Sequence, residues 1–181
     1  MNPDCACLVC RDHGRKGLDA VDRELVKDVR RLGWGVIMIP EDDISAGWAF
    51  TVGLWHSFRV PEVAMFGLDT DVLHPVLNAV GELVREGRAP AAGDRVEEVL
   101  GGGYRVLFAD VHADWPKTFF GTALGFYRDT EGLRFVQCLW PDKAGKFPGE
   151  DGFAEGLADL QPHLWLDRAR HPEGPWTAPD A

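Results

Sequence analysis

The sequence has no apolar run long enough to cross a membrane. A spanning helix needs about 20 predominantly apolar residues, and no segment of this 181-residue chain approaches that length. The start of the chain, Met1 to Cys5, has no basic segment followed by an apolar one, so no signal peptide is predicted. We therefore expect a cytoplasmic protein with no membrane partner, in a compartment where free or metal-bound thiols are more common than disulfides.

Basic residues are also scarce. The chain has 19 Lys and Arg against 29 Asp and Glu, which gives a formal net charge of −10. Proteins that bind nucleic acids usually carry a basic face that neutralises phosphates. We therefore expect no nucleic-acid partner. The acidic charge leaves open a module that masks a basic protein partner.

Familiar catalytic motifs are missing as well. The sequence contains no P-loop, no G-x-G-x-x-G, no G-x-S-x-G and no H-E-x-x-H. The triplet from Gly101 to Gly103 precedes a β-rich segment and is interpreted as a flexible turn. No motif therefore assigns the protein to a class of enzyme.

Apolar spacing predicts three main helices. Apolar residues recur at intervals of three and four over residues 18–32 and 73–84. Asp19 suits the first helix as its N-cap, and Gly33 and Gly87 suit the two C-termini. A third helix is expected to begin after Asp114, which would cap it.

β-rich runs predict five strands, over residues 34–39, 48–54, 63–66, 104–111 and 133–140. Helices and strands follow one another in a mixed order, so we predict the α+β class, with a mixed, mainly antiparallel sheet packed by three main helices. The predicted parts are a Cys-rich N-terminal segment (1–17), a single domain (18–166) and a flexible tail (167–181).

The N-terminal Cys5-x-Cys7-x-x-Cys10-x-x-His13 cluster predicts a metal site. Thiolates and imidazoles are the preferred ligands of tetrahedral Zn²⁺, and four such groups lie within nine residues. Zinc is therefore the expected cofactor, in a structural role, with His13 or Cys138 as the fourth ligand. The alternative is a disordered segment with three incidental thiols.

Two further segments suggest a pocket. A predicted strand leads through Thr51 to Trp55 and His56, and another leads through Gln137 to Trp140 and Asp142. Aromatic walls with a few polar groups are typical of small-ligand sites. We therefore predict a pocket between the 51–62 and 137–148 loops, in which Thr51, Trp55, Gln137 and Trp140 contact a small-molecule or protein ligand.

The same segments permit an enzyme. His56 could act as a general base, with Glu62 or Asp142 as its acid/base partner. The alternative is that the histidine hydrogen-bonds a loop and that the tryptophans pack in the core. The sequence thus leaves a binding or accessory domain, an enzyme and an acidic interaction module as candidate functions.

Motifs along nearly the whole chain resemble one family. Those after the Cys-rich start are Gly33-Trp34, Phe50-Thr51-Val52-Gly53-Leu54-Trp55-His56, Pro61-Glu62, Phe66-Gly67-Leu68, Trp140-Pro141-Asp142 and Gly145-x-Phe147-Pro148. Together they resemble the domain-of-unknown-function 4262 family of bacterial proteins. The resemblance implies the fold and the region of the site, and it implies no substrate. Many relatives carry His where this chain has Val60.

Overall fold

A computed structural model describes residues 5–10 and 17–177 of the chain. The helices are α1 (Ala20–Leu32), α2 (Leu54–Phe58), α3 (Thr70–Arg85), α4 (Pro116–Phe119) and α5 (Gly121–Tyr127). The strands are β1 (Gly35–Ile39), β2 (Trp48–Val52), β3 (Glu62–Phe66), β4 (Arg95–Val96), β5 (Val106–Asp110) and β6 (Phe135–Leu139). None of the helices in these ranges is long and apolar enough to cross a membrane.

The strands form one six-stranded sheet in the order β1-β2-β3-β6-β5-β4. Four neighbouring pairs are antiparallel, and only β3 and β6 run parallel. Three helices, α1, α3 and α5, have seven residues or more. The predicted α+β class, with a mainly antiparallel sheet and three main helices, is confirmed.

The sheet has two ends that matter for the site. Glu62 at the start of β3 pairs with Phe135 at the start of β6, and β2 runs antiparallel to β3. The last residue of β2 therefore lies at the end of the sheet where β3 and β6 begin, which we call the Glu62 end. The last residue of β6 lies at the opposite end of the sheet, beside Phe66, which we call the Phe66 end.

Each face of the sheet is covered by its own helices. Side chains alternate along a strand, so Phe50 and Phe135 point into one core while Met65 and Cys138 point into the other. The first core contains α1, α4, α5 and the N-terminal segment, and the second contains α3. The protein is thus a three-layer structure with the sheet in the middle.

Local sequence signals explain the main helix termini. Asp19 accepts a hydrogen bond from the backbone N–H of Asp22 at 2.8 Å, as predicted for an N-cap. Gly33 ends α1 with φ of +101°, the left-handed conformation that glycine adopts without a Cβ penalty. Gly87 also has a positive φ, directly after the Glu86 cap of α3.

Tertiary packing changes three predicted elements. The predicted third helix is divided into two short helices, because the chain turns at Phe120 between α4 and α5. The N-cap of α4 is Trp115 and not Asp114, which the sequence had predicted. The predicted second strand ends at Val52 and gives way to α2. The two-residue strand β4 lies where no strand was predicted.

The C-terminal segment packs on the domain. Trp176 is 6% exposed, and its indole N–H donates to the backbone oxygen of Asp159 at 2.8 Å. Its ring meets Phe66 edge-on at 5.3 Å. An aromatic side chain therefore packs part of the predicted tail, residues 167–181, against the core.

Candidate metal centre

The N-terminal Cys segment is bound to the first core. Cys7 is fully buried and Leu8 is 6% exposed. The backbone N–H of Leu8 donates to the carbonyl of Phe126 in α5 at 3.0 Å. The backbone N–H of Cys10 donates to the carbonyl of Cys7 at 3.1 Å, which closes a turn between the two thiols. These contacts hold the segment from Cys7 to Cys10 against α5.

A tight turn at the Glu62 end brings His56 to the thiols. Gly53 follows β2 with φ of +120°, and a Cβ at this position would lie 2.8 Å from the carbonyl oxygen of Gly33. Only glycine allows so close an approach of two backbone segments. The chain turns there into α2, whose third residue is His56.

Four ligand atoms converge at this point. The Nδ1 atom of His56 lies 3.9, 3.3 and 3.7 Å from the Sγ atoms of Cys5, Cys7 and Cys10. All four atoms lie within 4.8 Å of one another. A tetrahedral zinc centre with Zn–S near 2.3 Å and Zn–N near 2.0 Å separates its ligand atoms by about 3.5–3.8 Å. The observed spacing fits such a centre.

Hydrogen bonding alone does not account for this convergence. A neutral imidazole nitrogen offers one in-plane lone pair or one hydrogen, and here three sulfur atoms surround Nδ1 of His56. A cation at the centre would satisfy all four groups at once. The ligand atoms of Cys5, Cys7, Cys10 and His56 are therefore close enough to one another to hold a metal ion.

The electrostatic environment differs among the ligands. Burial raises the pKa of Cys7 to about 12 and, with the neighbouring Cys5 thiol, raises the pKa of Cys10. Burial also acts to raise the pKa of Cys5, but hydrogen bonds from Cys7 and Cys10 and the positive charge of Arg59 outweigh it and lower that pKa. Burial, with Arg59, lowers the pKa of His56. That shift favours the neutral imidazole that metals bind.

Glu62 holds the turn that carries His56. One carboxylate oxygen accepts from the backbone N–H groups of Gly53 at 2.9 Å and Trp55 at 3.0 Å, and from the Tyr127 hydroxyl. The other oxygen accepts from the Thr51 hydroxyl at 2.7 Å. Complete burial raises the pKa of Glu62, and these four donors partly offset that effect. Glu62 thus positions the turn from within the core.

The Tyr127 hydroxyl is the second support of the turn. It accepts from the backbone N–H of Gly53 at 2.9 Å and of His56 at 3.4 Å, while it donates to Glu62. Burial raises the pKa of Tyr127, so the hydroxyl keeps the proton that it donates. Tyr127 ends α5, the helix on which the Cys segment lies. One side chain therefore ties the α2 turn to the support of the thiols.

The sequence offered two candidates for the fourth ligand, His13 and Cys138. His13 lies outside the described residues. Cys138 is fully buried in the α3 core, on the face of the sheet opposite Cys7. It therefore cannot join the cluster, and the structure places His56 where that ligand was expected. Local spacing gave no sign of this, because His56 is 46 residues from Cys10.

The predicted pocket between the 51–62 and 137–148 loops is not formed. The first loop lies at the Glu62 end of the sheet, and the second follows β6 at the Phe66 end. Five residues of β6 separate them, which corresponds to roughly 13 Å along the strand. The predicted shared site is therefore wrong, because antiparallel pairing of β2 with β3 sends the two loops to opposite ends.

The residues predicted to contact a ligand make internal contacts. Gln137 donates to the carbonyl of Pro162 at 2.8 Å, and the Trp140 indole donates to the carbonyl of Phe66 at 2.7 Å. Thr51 is fully buried against Glu62. Trp55 is half-buried, and the Arg59 guanidinium lies 5.4 Å from the centre of its ring. Each of these four side chains therefore has a partner within the protein.

The three predicted acid/base residues do not form one group. Asp142 lies at the Phe66 end and accepts from the backbone N–H groups of Ala144 at 2.8 Å, Lys146 at 2.9 Å and Ala154 at 3.0 Å. Hydrogen bonds from these amides lower the pKa of Asp142, and the amide of Lys146 has the largest effect. Glu62 has no solvent-exposed surface. Glu62 is linked to His56 by the Tyr127 hydroxyl, which donates to Glu62 and accepts from the backbone N–H of His56. The sequence did not indicate this role of Tyr127.

Comparison with known proteins gives one match. A family model described as Domain of unknown function (DUF4262) matches residues 28–154 of the chain. No curated protein and no solved structure matches it. The matched segment contains His56, Glu62 and Tyr127, while the three clustered cysteines precede it.

Proposed function

Because this chain belongs to the DUF4262 family, a domain of unknown function, we propose its role from the site itself. The protein is a small binding or accessory domain that holds one structural zinc ion. The ligands are the Sγ atoms of Cys5, Cys7 and Cys10 and the Nδ1 atom of His56. The observation that carries this proposal is the mutual approach of these four atoms within 4.8 Å.

The ligand set favours zinc in a structural role. Three thiolates and one imidazole form a closed Cys₃His set, which is typical of structural zinc sites. Catalytic zinc keeps a position open for water or substrate, and four protein ligands leave none. The ion would join the N-terminal segment to the α2 turn. Metal binding would then contribute directly to the stability of the fold.

Metal analysis of the full-length, untagged protein tests the proposal. We expect about one zinc ion per chain, and loss of that zinc in a Cys7→Ser/Cys10→Ser variant. Substituting cobalt should give the absorption of a tetrahedral thiolate site, and His56→Ala should change that spectrum. Native protein without stoichiometric metal would overturn the proposal.

Matched histidine variants assign the fourth ligand. His74 is exposed on α3, on the other side of the sheet, so His74→Ala should leave the cobalt spectrum unchanged. His13→Ala should do the same if His56 completes the set. A spectrum altered by His13→Ala and not by His56→Ala would contradict the assignment of His56.

A further inference from the structure

A separate groove lies at the Glu62 end of the sheet. It has a volume of about 830 Å³ and is bounded by the end of β5, α4, the C-terminal part of α5, the start of β6 and Trp165. Small-molecule sites in proteins measure about 300–1,000 Å³. The groove is therefore large enough for a molecule of several rings.

Part of the groove is an apolar surface. Four half-buried apolar side chains form it, and we call them the apolar floor: Val111, Leu124, Leu133 and Trp165. The first three continue outward from the α5 core. The Trp165 ring stacks on His163 at 4.6 Å, which fixes its plane. The floor is thus an apolar surface suited to a flat or branched apolar group.

The charge of the groove is opposite to that of the chain. Lys117, Arg128 and Arg134 line it against one acid, Asp110, which leaves +2 in a chain whose net charge is −10. Arg134 is already paired with Asp110 at 2.7 Å. Within the described residues Lys117 makes no ion pair. Its ammonium group is the cation that remains for a ligand.

The backbone at Arg128 supports a role for this wall of the groove. Arg128 is the C-cap of α5 and has a φ of +60°. Among the non-glycine residues that the structure describes, only Arg128 and Arg59 have positive φ. Such conformations cost about 1–3 kcal/mol and concentrate at functional sites. A glycine would adopt this conformation without strain.

We infer that this groove binds a small organic anion. Its acidic group pairs with Lys117, and its apolar body lies on the apolar floor. A sulfonate, carboxylate or phosphate shares this chemistry. The groove lies outside the Cys5, Cys7, Cys10 and His56 cluster, so the inference does not depend on the proposed zinc site.

A pair of fluorescent dyes tests the inference on the full chain as purified. The anionic probe is 8-anilinonaphthalene-1-sulfonate, and the neutral control is N-phenyl-1-naphthylamine, which lacks the sulfonate. We expect saturable binding of one anionic dye per chain, weaker binding of the neutral dye, and loss of affinity at high salt. Equal affinity for the two dyes, or no saturable binding of the anionic dye, would overturn the inference.

Variants of single charges locate the site. Lys117→Gln should weaken binding of the anionic dye by about threefold, as expected for an exposed ion pair. Asp110→Asn should strengthen it, because the variant removes the only acid in the groove. Lys143→Gln removes the same charge from an exposed position at the Phe66 end and should have no effect. Equal effects of the two lysine variants would place the dye elsewhere and refute the inference.

Discussion

Two buried carboxylates, Glu62 and Asp142, lie at opposite ends of the sheet and differ in where their hydrogen-bond donors come from. Asp142 binds backbone amides no more than 12 residues away. Glu62 binds donors from β2, the α2 turn and α5, up to 65 residues away. Asp142 thus closes a local turn, whereas Glu62 joins distant parts of the chain.

The comparison extends to the groups that surround each carboxylate. At the Phe66 end, Gln161 accepts from the backbone N–H of Trp140 at 3.0 Å and donates to its carbonyl at 2.9 Å. That corner satisfies its polar groups internally. At the Glu62 end, three thiols and the His56 ring face one another. This second corner is the one whose stability we expect to depend on a metal ion.

The largest effect is expected for Glu62→Gln, which should lower the free energy of unfolding by about 4 kcal/mol, because an amide nitrogen would face hydrogen-bond donors inside the core. Urea unfolding measures this. Zinc affinity should fall too, since the turn that carries His56 loses its support. Glu41→Gln, at an exposed acid before β2, is the control. Equal stability of the two variants would contradict the role of Glu62.

Removal of the metal should have the next largest effect. If free zinc stands about 100-fold above its dissociation constant, chelation lowers the free energy of unfolding by about 3 kcal/mol. Thermal melting with and without a chelator measures this change. The Cys7→Ser/Cys10→Ser variant should melt at the same temperature under both conditions. A chelator effect that persists in this variant would show that the metal binds elsewhere.

Asp142→Asn should lower the melting temperature less than Glu62→Gln does and leave the zinc content unchanged, because Asp142 lies at the Phe66 end. The backbone amides lower its pKa below the ordinary value. Its contribution is therefore present above the ordinary pKa and lost as pH falls through the folded pKa. Melts of wild type and variant should converge in acid, whereas exposed Asp151→Asn should change little at any pH. Zinc loss in Asp142→Asn would contradict the claim that the Phe66 end does not affect the metal site at the Glu62 end.

The smallest effect is expected for Cys138→Ala. Burial raises the pKa of this thiol, and its removal from the α3 core should cost about 1 kcal/mol through lost packing. The zinc content should stay the same. Cys10→Ser, by contrast, should release zinc. If Cys138→Ala also released the metal, the assignment of the ligands to one face of the sheet would be wrong.

Much of the fold could be predicted because its signals are local. The α1 helix is predicted from its apolar spacing, its Asp19 N-cap and the Gly33 at its C-terminus, and all three signals lie within 15 residues. The apolar runs of β1, β3 and β6 likewise mark their strands. Elements without such signals were missed: β4 has two residues and α2 has five, too few for a period to show.

The metal site was predictable only in part. The spacing of Cys5, Cys7 and Cys10 reveals three ligands, because thiols close in sequence are close in space. His56 was singled out for acid/base chemistry, and no feature of the sequence connected it with those thiols. Since the role of a side chain depends on its neighbours, His56 became a ligand only when the Gly53 turn placed it there.

The sequence by itself determined the α+β class, the main helices and strands, and the presence of a thiol cluster, because apolar periodicity, caps and ligand chemistry act over a few residues. The tertiary structure alone decided which residues meet. Strand pairing placed Glu62 beside the α2 turn, sent Asp142 to the other end of the sheet and enclosed Cys138 behind it. Such long-range contacts depend on register and on the packing of the whole chain, which no short segment encodes.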